Sequence, residues 1–279
     1  LLDVHRTFYE GTPYDLTQGV AAGPFGNPDR FKTQGITKVG GAWERSIGLF
    51  RTTQAHVLQA RSGLPKGQGG VVWFGPHAAH GSCFVPLTVG MTALPISHTT
   101  SDPRKIDRAS AYWAHKCVER ARAARAPLPR CVLRRRAHAL RSPFSRLLSL
   151  FFFDRYVINM AHLRYKEMYA DISDFRKPLV ANSIALLKTL DANALAAAAL
   201  GPEALARAGD DATAQLIANA VAITKQWWTL PDTLMWRYAD NFFKNDAPMA
   251  YPDTWLQDPE VGYTTGPPPP PKEPNMKMV

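Results

Sequence analysis

The order of strand-like and helix-like patterns along the chain is the feature that most restricts its fold. Short alternating or fully apolar runs lie between residues 43 and 90, and helical periodicity follows from Asp107 onward. Strands grouped ahead of helices favour an α+β fold, because alternating strand and helix patterns would instead indicate a parallel sheet. Short turns between the apolar runs indicate antiparallel neighbours. We therefore predict an α+β protein with an antiparallel sheet.

Three strands are predicted in this first part of the chain. Residues 54–62 alternate between two faces, and residues 71–74 (VVWF) are fully apolar, as expected for a strand covered on both sides. The third predicted strand covers residues 82–89, and Pro86 places it at a sheet edge or a bulge because proline donates no ladder hydrogen bond. Residues 1–42 are rich in Gly, Pro and turn pairs, which predicts a loop.

Helices are predicted in the second part of the chain. Asp107 is expected to cap a helix over residues 108–116, and a further helix over residues 156–171 is expected to continue past Pro178 to Leu190. Gly201-Pro202 interrupts the Ala-rich stretch that follows. Asp210-Asp211 is expected to cap a long helix that reaches Trp227-Trp228, and Pro231 is expected to start or kink a second helix that reaches Phe243.

The basic charge of the chain belongs to one segment. Residues 119–150 contain nine arginines, no lysine and one acid, so they carry +8 of the net charge of +10. The segment is either an arm that binds phosphate backbones or an insertion foreign to the fold. Three prolines in it break any single helix, and no aromatic residue is interleaved with the arginines before Phe144. We favour the insertion and expect no nucleic-acid partner.

Composition also argues against a membrane, disulfide or metal protein. The longest apolar run considered, residues 147–153, is far below the roughly 20 residues of a membrane helix, so no membrane partner is expected. Three cysteines form an odd set without a CxxC pair, which argues against a disulfide framework and a multi-cysteine zinc site. We predict no metal and no cofactor.

Few residues are candidates for a catalytic or binding role. Cys83 lies within a predicted apolar strand, so a buried apolar role is favoured over a nucleophile. His77 and His80 stand three apart without a third metal ligand, so they are expected to line a cleft. Arg61 is either a guanidinium lying on the sheet or a clamp for a carboxylate, and the residues alone do not separate these two interpretations.

Four ordered blocks of the chain resemble one known family. They are Pro13–Gly19 with Ala22–Gly26, Gly41–Ile47 with Phe50-Arg51-Thr52, Gln59–Ser62, and Trp73–His80. Together they resemble the dipeptidase A family of cysteine dipeptidases, which is related to the secernins. Residues 110–115, 227–228 and 232–240 fit the same family, so the resemblance covers most of 10–118 and 155–265.

The resemblance implies an N-terminal-nucleophile hydrolase and dipeptide substrates. Such enzymes stack two antiparallel sheets between helical layers in a four-layer sandwich. Their nucleophile is a cysteine at the first mature position, whose own α-amine takes the thiol proton, and the reaction passes through a thioester. Because this chain contains no cysteine before Cys83, we expect it to be the C-terminal part of such an enzyme, incomplete at the N-terminus and inactive alone.

The resemblance also divides the chain. We expect residues 1–265 to be part of a peptidase domain, with 117–155 an Arg-rich insertion that suggests an unremoved intron, and 266–279 a Pro-rich disordered tail. Arg61, His77 and His80 are expected to be substrate-binding, and Arg51 is a candidate for an internal ion pair. The alternative function is a non-catalytic scaffold or interaction paralogue.

Overall fold

The computed structural model describes residues 1–30, 44–102, 107–116, 161, 164–238, 251–259 and 261. The predicted insertion at 117–155 and the predicted tail at 266–279 lie outside the described residues. The division of the chain into domain, insertion and tail therefore stays a prediction.

Three strands form one antiparallel sheet in the order β1 (Ala55–Ala60), β2 (Gly70–Gly75) and β3 (Val85–Thr88). Ala55 pairs with Gly75, and Val85 pairs with Phe74. All three predicted strands are present and antiparallel. The third is shorter than the predicted 82–89, because its pairing with β2 begins at Val85 opposite Phe74 and ends at Thr88 opposite Val71. Within the described sheet β3 is an edge strand, as Pro86 indicated.

Short helical elements surround this sheet. Residues 1–30 contain only two 3-10 turns, Val4–Arg6 and Val20–Ala22, which agrees with the predicted loop over this part. Two short helices, α1 (Ile96–Thr99) and α2 (Ala111–Lys116), follow β3. The Asp107 carboxylate accepts a hydrogen bond from the Ala109 N–H at 2.8 Å. Asp107 therefore stabilises the turn before α2, which begins at Ala111 and not at the predicted residue 108.

Two long helices and a shorter one follow, namely α3 (Tyr165–Leu200), α4 (Pro202–Trp227) and α5 (Leu230–Tyr238). As predicted, α3 continues past Pro178, but it ends at Leu200 rather than Leu190. The cap predicted at Asp210-Asp211 is wrong, because α4 already begins at Pro202, directly after Gly201, and both aspartates lie inside it. Gly201 has φ of 112°, a left-handed conformation that favours glycine, and this single residue reverses the chain. Ser183 on α3 and Asn219 on α4 are each 18 residues from Gly201, and the Asn219 amide donates to the Ser183 hydroxyl at 3.0 Å, so the two helices run antiparallel. A further short helix, α6, covers Asp253–Leu256.

The main core lies between the helices and β3. One stripe of α3 is buried, and its mostly apolar members recur at three- and four-residue spacing. The largest cluster joins this stripe to α4, α5 and β3, with Trp227 and Leu234 fully buried in it. The apolar members of the α3 stripe are Met168, Ile172, Leu179, Leu187, Leu190 and Ala194.

The expectation about membrane-length segments is wrong for α3. This helix has 36 residues and a window of mean hydropathy 1.3, so by length and composition it is able to cross a membrane. The core helix of a soluble protein can have the same length and composition. In this structure its apolar stripe packs on α4 and β3. The absence of a membrane partner stays a prediction.

The described residues form one three-stranded sheet covered by helices. The predicted α+β class is confirmed. No second sheet occurs within the described ranges, so the four-layer arrangement stays a prediction.

Candidate functional site

The connection between β2 and β3 is an unusually buried loop. Every residue from Gly75 to Pro86 is buried. Loops normally run over the surface because their backbone N–H and C=O groups require water or other partners. A connection this deep therefore depends on polar partners from elsewhere in the chain.

Two buried arginines supply those partners. Arg6, in the first 3-10 turn, donates from Nε to the Ala79 carbonyl at 3.2 Å. Arg176, on α3, donates from Nη1 to the His80 carbonyl at 2.7 Å. Each arginine is only 6% exposed. The loop is thus fixed between the N-terminal segment and α3.

The two predicted loop histidines lie together in this connection. His77 and His80 are 0% and 1% exposed, so both rings are interior rather than at an open cleft. The His80 ring meets Phe8 edge to face at a centroid distance of 5.0 Å. In the described part of the chain no group of three His, Cys, Asp or Glu side chains is arranged to hold a metal. The substrate-binding role of both histidines stays a prediction.

Cys83 ends the same loop and is fully buried. Burial raises the pKa of its thiol to about 12, although Arg176 and Arg6 oppose the shift. A thiol with this pKa is about one part in 10⁵ thiolate at pH 7, and the thiolate is the nucleophilic form. The structure confirms Cys83 as a buried apolar residue, and its environment is unsuited to nucleophilic attack.

Arg61 lies at the other end of the sheet. It follows Ala60, which pairs with Gly70, whereas the histidines follow Gly75 at the far end of β2. With a rise of about 3.3 Å per residue, the two ends of β2 are about 17 Å apart. The structure therefore does not bring Arg61 together with His77 and His80.

The guanidinium of Arg61 has internal partners. Its Nη1 pairs with the carboxylate of Asp191 on α3, and its Nη2 donates to the Gln68 carbonyl at 2.5 Å. The Gln68 amide also donates to Asp191 at 3.1 Å. Arg61 thus fastens the β1–β2 turn to α3. Its role as a clamp for a substrate carboxylate stays a prediction.

Arg51 was a candidate for an internal ion pair. Its guanidinium instead lies over the Phe50 ring, 5.5 Å from the centroid. Among the residues the structure describes, no carboxylate lies within ion-pair distance of it.

Substitution of Asp191 tests the importance of the Arg61 pair. Because the two side chains are only 15% and 18% exposed, Asp191→Ala leaves a poorly solvated guanidinium. We expect the free energy of unfolding to fall by about 2–3 kcal/mol, below the range for fully buried pairs. Urea denaturation measures it. Asp174→Ala on the same helix breaks an exposed pair with Lys177 and is the control, expected to change stability by less than about 1 kcal/mol. Equal losses in the two variants would contradict a special role for the Arg61 pair.

An open cleft lies on the other side of the two buried arginines. It has a volume of about 280 Å³ and lies between the N-terminal segment and α3. Arg6 and Arg176 contribute its two cationic side chains. The remaining lining residues are Asp3, Thr7, Glu10, Tyr169 and Ser173.

Sequence reasoning missed Arg6 and Arg176. For Arg176 a signal is present: it stands four residues after Ile172 and three before Leu179, within a mostly apolar stripe. An arginine at such a position is buried by the helix period and requires a polar partner. Arg6 gives no comparable signal, because its segment has no regular period.

Comparison with known proteins finds a family that resembles the first part of the chain. A family model described as peptidase family C69 matches residues 2–125, slightly less than half of the chain, and these residues include the whole described sheet and the buried loop. A search of curated proteins finds no match. Family C69 is the dipeptidase A family of cysteine peptidases, so the resemblance seen in the sequence blocks is confirmed over this segment. Residues 2–125 of this chain are thus similar to peptidase family C69.

Proposed function

We propose that this chain is the C-terminal part of a cysteine-type dipeptidase of the N-terminal-nucleophile class. The observation that carries the proposal is the match to peptidase family C69 across the sheet and its buried loop. The proposed substrates are dipeptides with free ends. In the intact enzyme the described sheet is one part of a four-layer sandwich, with the segment at 117–155 inserted between α2 and α3.

The proposed reaction proceeds in two steps. A cysteine thiolate attacks the peptide carbonyl carbon, the C–N bond breaks, and the leaving amine takes the proton that the thiol gave up. Water then attacks the thioester carbonyl, releasing the acid and restoring the thiol. By resemblance to the family, the nucleophile is a cysteine that precedes residue 1 and is activated by its own α-amine.

The residues of this chain have supporting roles in the proposal. Cys83 is not the nucleophile, since its thiol is buried and its pKa is raised to about 12. The loop with His77 and His80 forms part of the wall beneath the substrate, and Arg61 holds the turn at the other end of the sheet against α3. Such fixed surroundings favour a constant geometry at the reacting atoms.

A second function is a non-catalytic scaffold of the same family. The observation that favours it is that the one cysteine within the described residues is fully buried with a strongly raised pKa. This alternative shares the fold and the family but has no hydrolytic step.

Hydrolysis of alanyl-alanine separates the two functions. We expect no turnover by the 279-residue chain and turnover by the same chain extended through its natural upstream coding sequence. In the extended protein, Cys83→Ser is expected to keep most of the activity, and Ser in place of the upstream cysteine is expected to abolish it. An extended protein that folds but does not hydrolyse dipeptides would favour the scaffold. Turnover by the 279-residue chain that is lost with Cys83→Ser would overturn the proposed chemistry.

A further inference from the structure

The base of the cleft above the buried loop is positively charged, and the carboxylates of the cleft do not fully neutralise this charge. Arg176 is 6% exposed, and its polar partners are the His80 carbonyl and the Ser173 hydroxyl, the latter at 3.5 Å. Within the described ranges no carboxylate lies within ion-pair distance of Arg176. A buried charge is normally neutralised by an opposite charge, since desolvation is otherwise costly.

Arg6 adds a second cation at the same place. Its carboxylate partner is Asp3 at 2.9 Å, and the Asp3 side chain is 97% exposed. Its Nη2 atom is buried and has no hydrogen-bond partner among the described residues. Burial and the nearby Arg176 lower the pKa of Arg6, which is the result expected for two neighbouring cations that lack a buried anion.

The rim of the cleft has the opposite charge. Asp3 and Glu10 lie at its outer edge, and both are exposed. The cleft thus presents arginines inside and carboxylates outside. Its volume of about 280 Å³ is close to the lower end of the range for small-molecule sites, roughly 300–1,000 Å³.

We infer that Arg6 and Arg176 form a binding site for the C-terminal carboxylate of a short peptide, whose ammonium group lies toward Asp3 and Glu10. A guanidinium is a favourable partner for a carboxylate, and within the described residues the Nη2 atom of Arg6 is a buried donor at this cleft that has no hydrogen-bond partner. The assignment of the carboxylate to a peptide rests on the proposed peptidase function. The carboxylate binds on the same two arginines that hold the loop of His77 and His80, so an occupied site is mechanically linked to that loop.

The first test varies the ligand and leaves the protein unchanged. Isothermal titration of the 279-residue chain at low salt compares alanyl-alanine with its C-terminal amide and with acetate. We expect the free carboxylate to bind at least about tenfold more tightly than the amide, and acetate to bind more weakly than the dipeptide. Equal binding of dipeptide and amide, or no binding of the dipeptide, would overturn the inference. Equal binding of acetate and dipeptide would indicate an adventitious ion only and would overturn the peptide assignment.

The second test locates the site with two variants. Ser173→Asp introduces a carboxylate beside Arg176 without removing a buried charge, and it is expected to block dipeptide binding while the fold is kept. Arg176→Met is expected to abolish binding where it folds, as judged by circular dichroism. Lys177→Met, an exposed cation at the next position of α3, is the matched control and is expected to bind as the unchanged chain does. Full dipeptide binding by Ser173→Asp would place the site elsewhere and overturn the inference.

These measurements are independent of turnover. Failure of the extended protein to hydrolyse dipeptides, together with carboxylate-dependent binding in this cleft, would reject the proposed function and keep the anion site. Hydrolysis of dipeptides by the extended protein, without carboxylate-dependent binding in this cleft, would keep the proposed function and reject the anion site.

Discussion

Trp227→Ala is expected to lower the free energy of unfolding by about 3–5 kcal/mol, the usual cost of emptying a large buried aromatic position. Trp227 is 0% exposed and ends α4 in the cluster that joins the helices to β3. Its indole stacks on the His115 ring at 4.8 Å and meets Phe175 edge to face at 5.9 Å. The cavity left by alanine lies between α2, α3 and α4, so all three helices lose a shared contact.

Equilibrium denaturation in urea, followed by far-ultraviolet circular dichroism, measures this loss without relying on tryptophan fluorescence. Trp236→Ala is the matched control, because that indole is 61% exposed on α5. Its stability is expected to change by less than about 0.5 kcal/mol. A comparable loss in both variants would show that the core is not organised around Trp227.

The long helix that reaches Trp227-Trp228 is predicted from the sequence, and α4 ends at Trp227. Local periodicity likewise predicted β1 to within one or two residues at either end and the continuation of α3 past Pro178. These features depend on residues a few positions apart, which is the range over which hydrophobic periodicity carries information.

The features that shape the candidate site depend on distant residues. Arg61 pairs with Asp191, 130 positions later, and Arg6 supports Ala79, 73 positions later. Neither partner is visible in a local pattern. The sequence favoured a buried Cys83 because of its apolar neighbours, but the burial of the whole connection around it depends on the guanidinium groups of Arg6 and Arg176. The resemblance to the family identified blocks of the sequence, but it did not indicate which distant residues contact them.

Acidification below pH 6.5 is expected to destabilise the protein, and His115 contributes to this loss. Burial lowers the pKa of His115 to about 3, from an ordinary value of 6.5. Its Nδ1 donates to the Ala111 carbonyl at 2.8 Å, so the neutral ring has its proton there. The Nε2 atom is buried and has no hydrogen-bond partner within the described ranges. Protonation would therefore place an unpartnered cation in the core.

The sign of the effect follows from proton binding in the two states. Between pH 6.5 and about 3 the unfolded chain binds a proton at His115 that the folded chain does not. Stability from this group is complete above pH 6.5 and is lost as the pH falls, by up to about 1.4 kcal/mol per pH unit. His98, whose pKa burial lowers to about 4, acts in the same direction over a shorter range.

The pH dependence of the unfolding free energy tests this assignment. In His115→Gln the fall in stability between pH 6.5 and 4.5 is expected to be smaller than in the unchanged chain by about 2–3 kcal/mol, whatever the variant's stability at pH 7. His56→Gln removes an exposed histidine on β1 and is expected to leave the slope unchanged. All other titrating groups are common to the three proteins, so the difference in slope isolates His115. A His115→Gln variant with the original slope would contradict the assignment, because it would show that His115 binds protons equally in the folded and unfolded states.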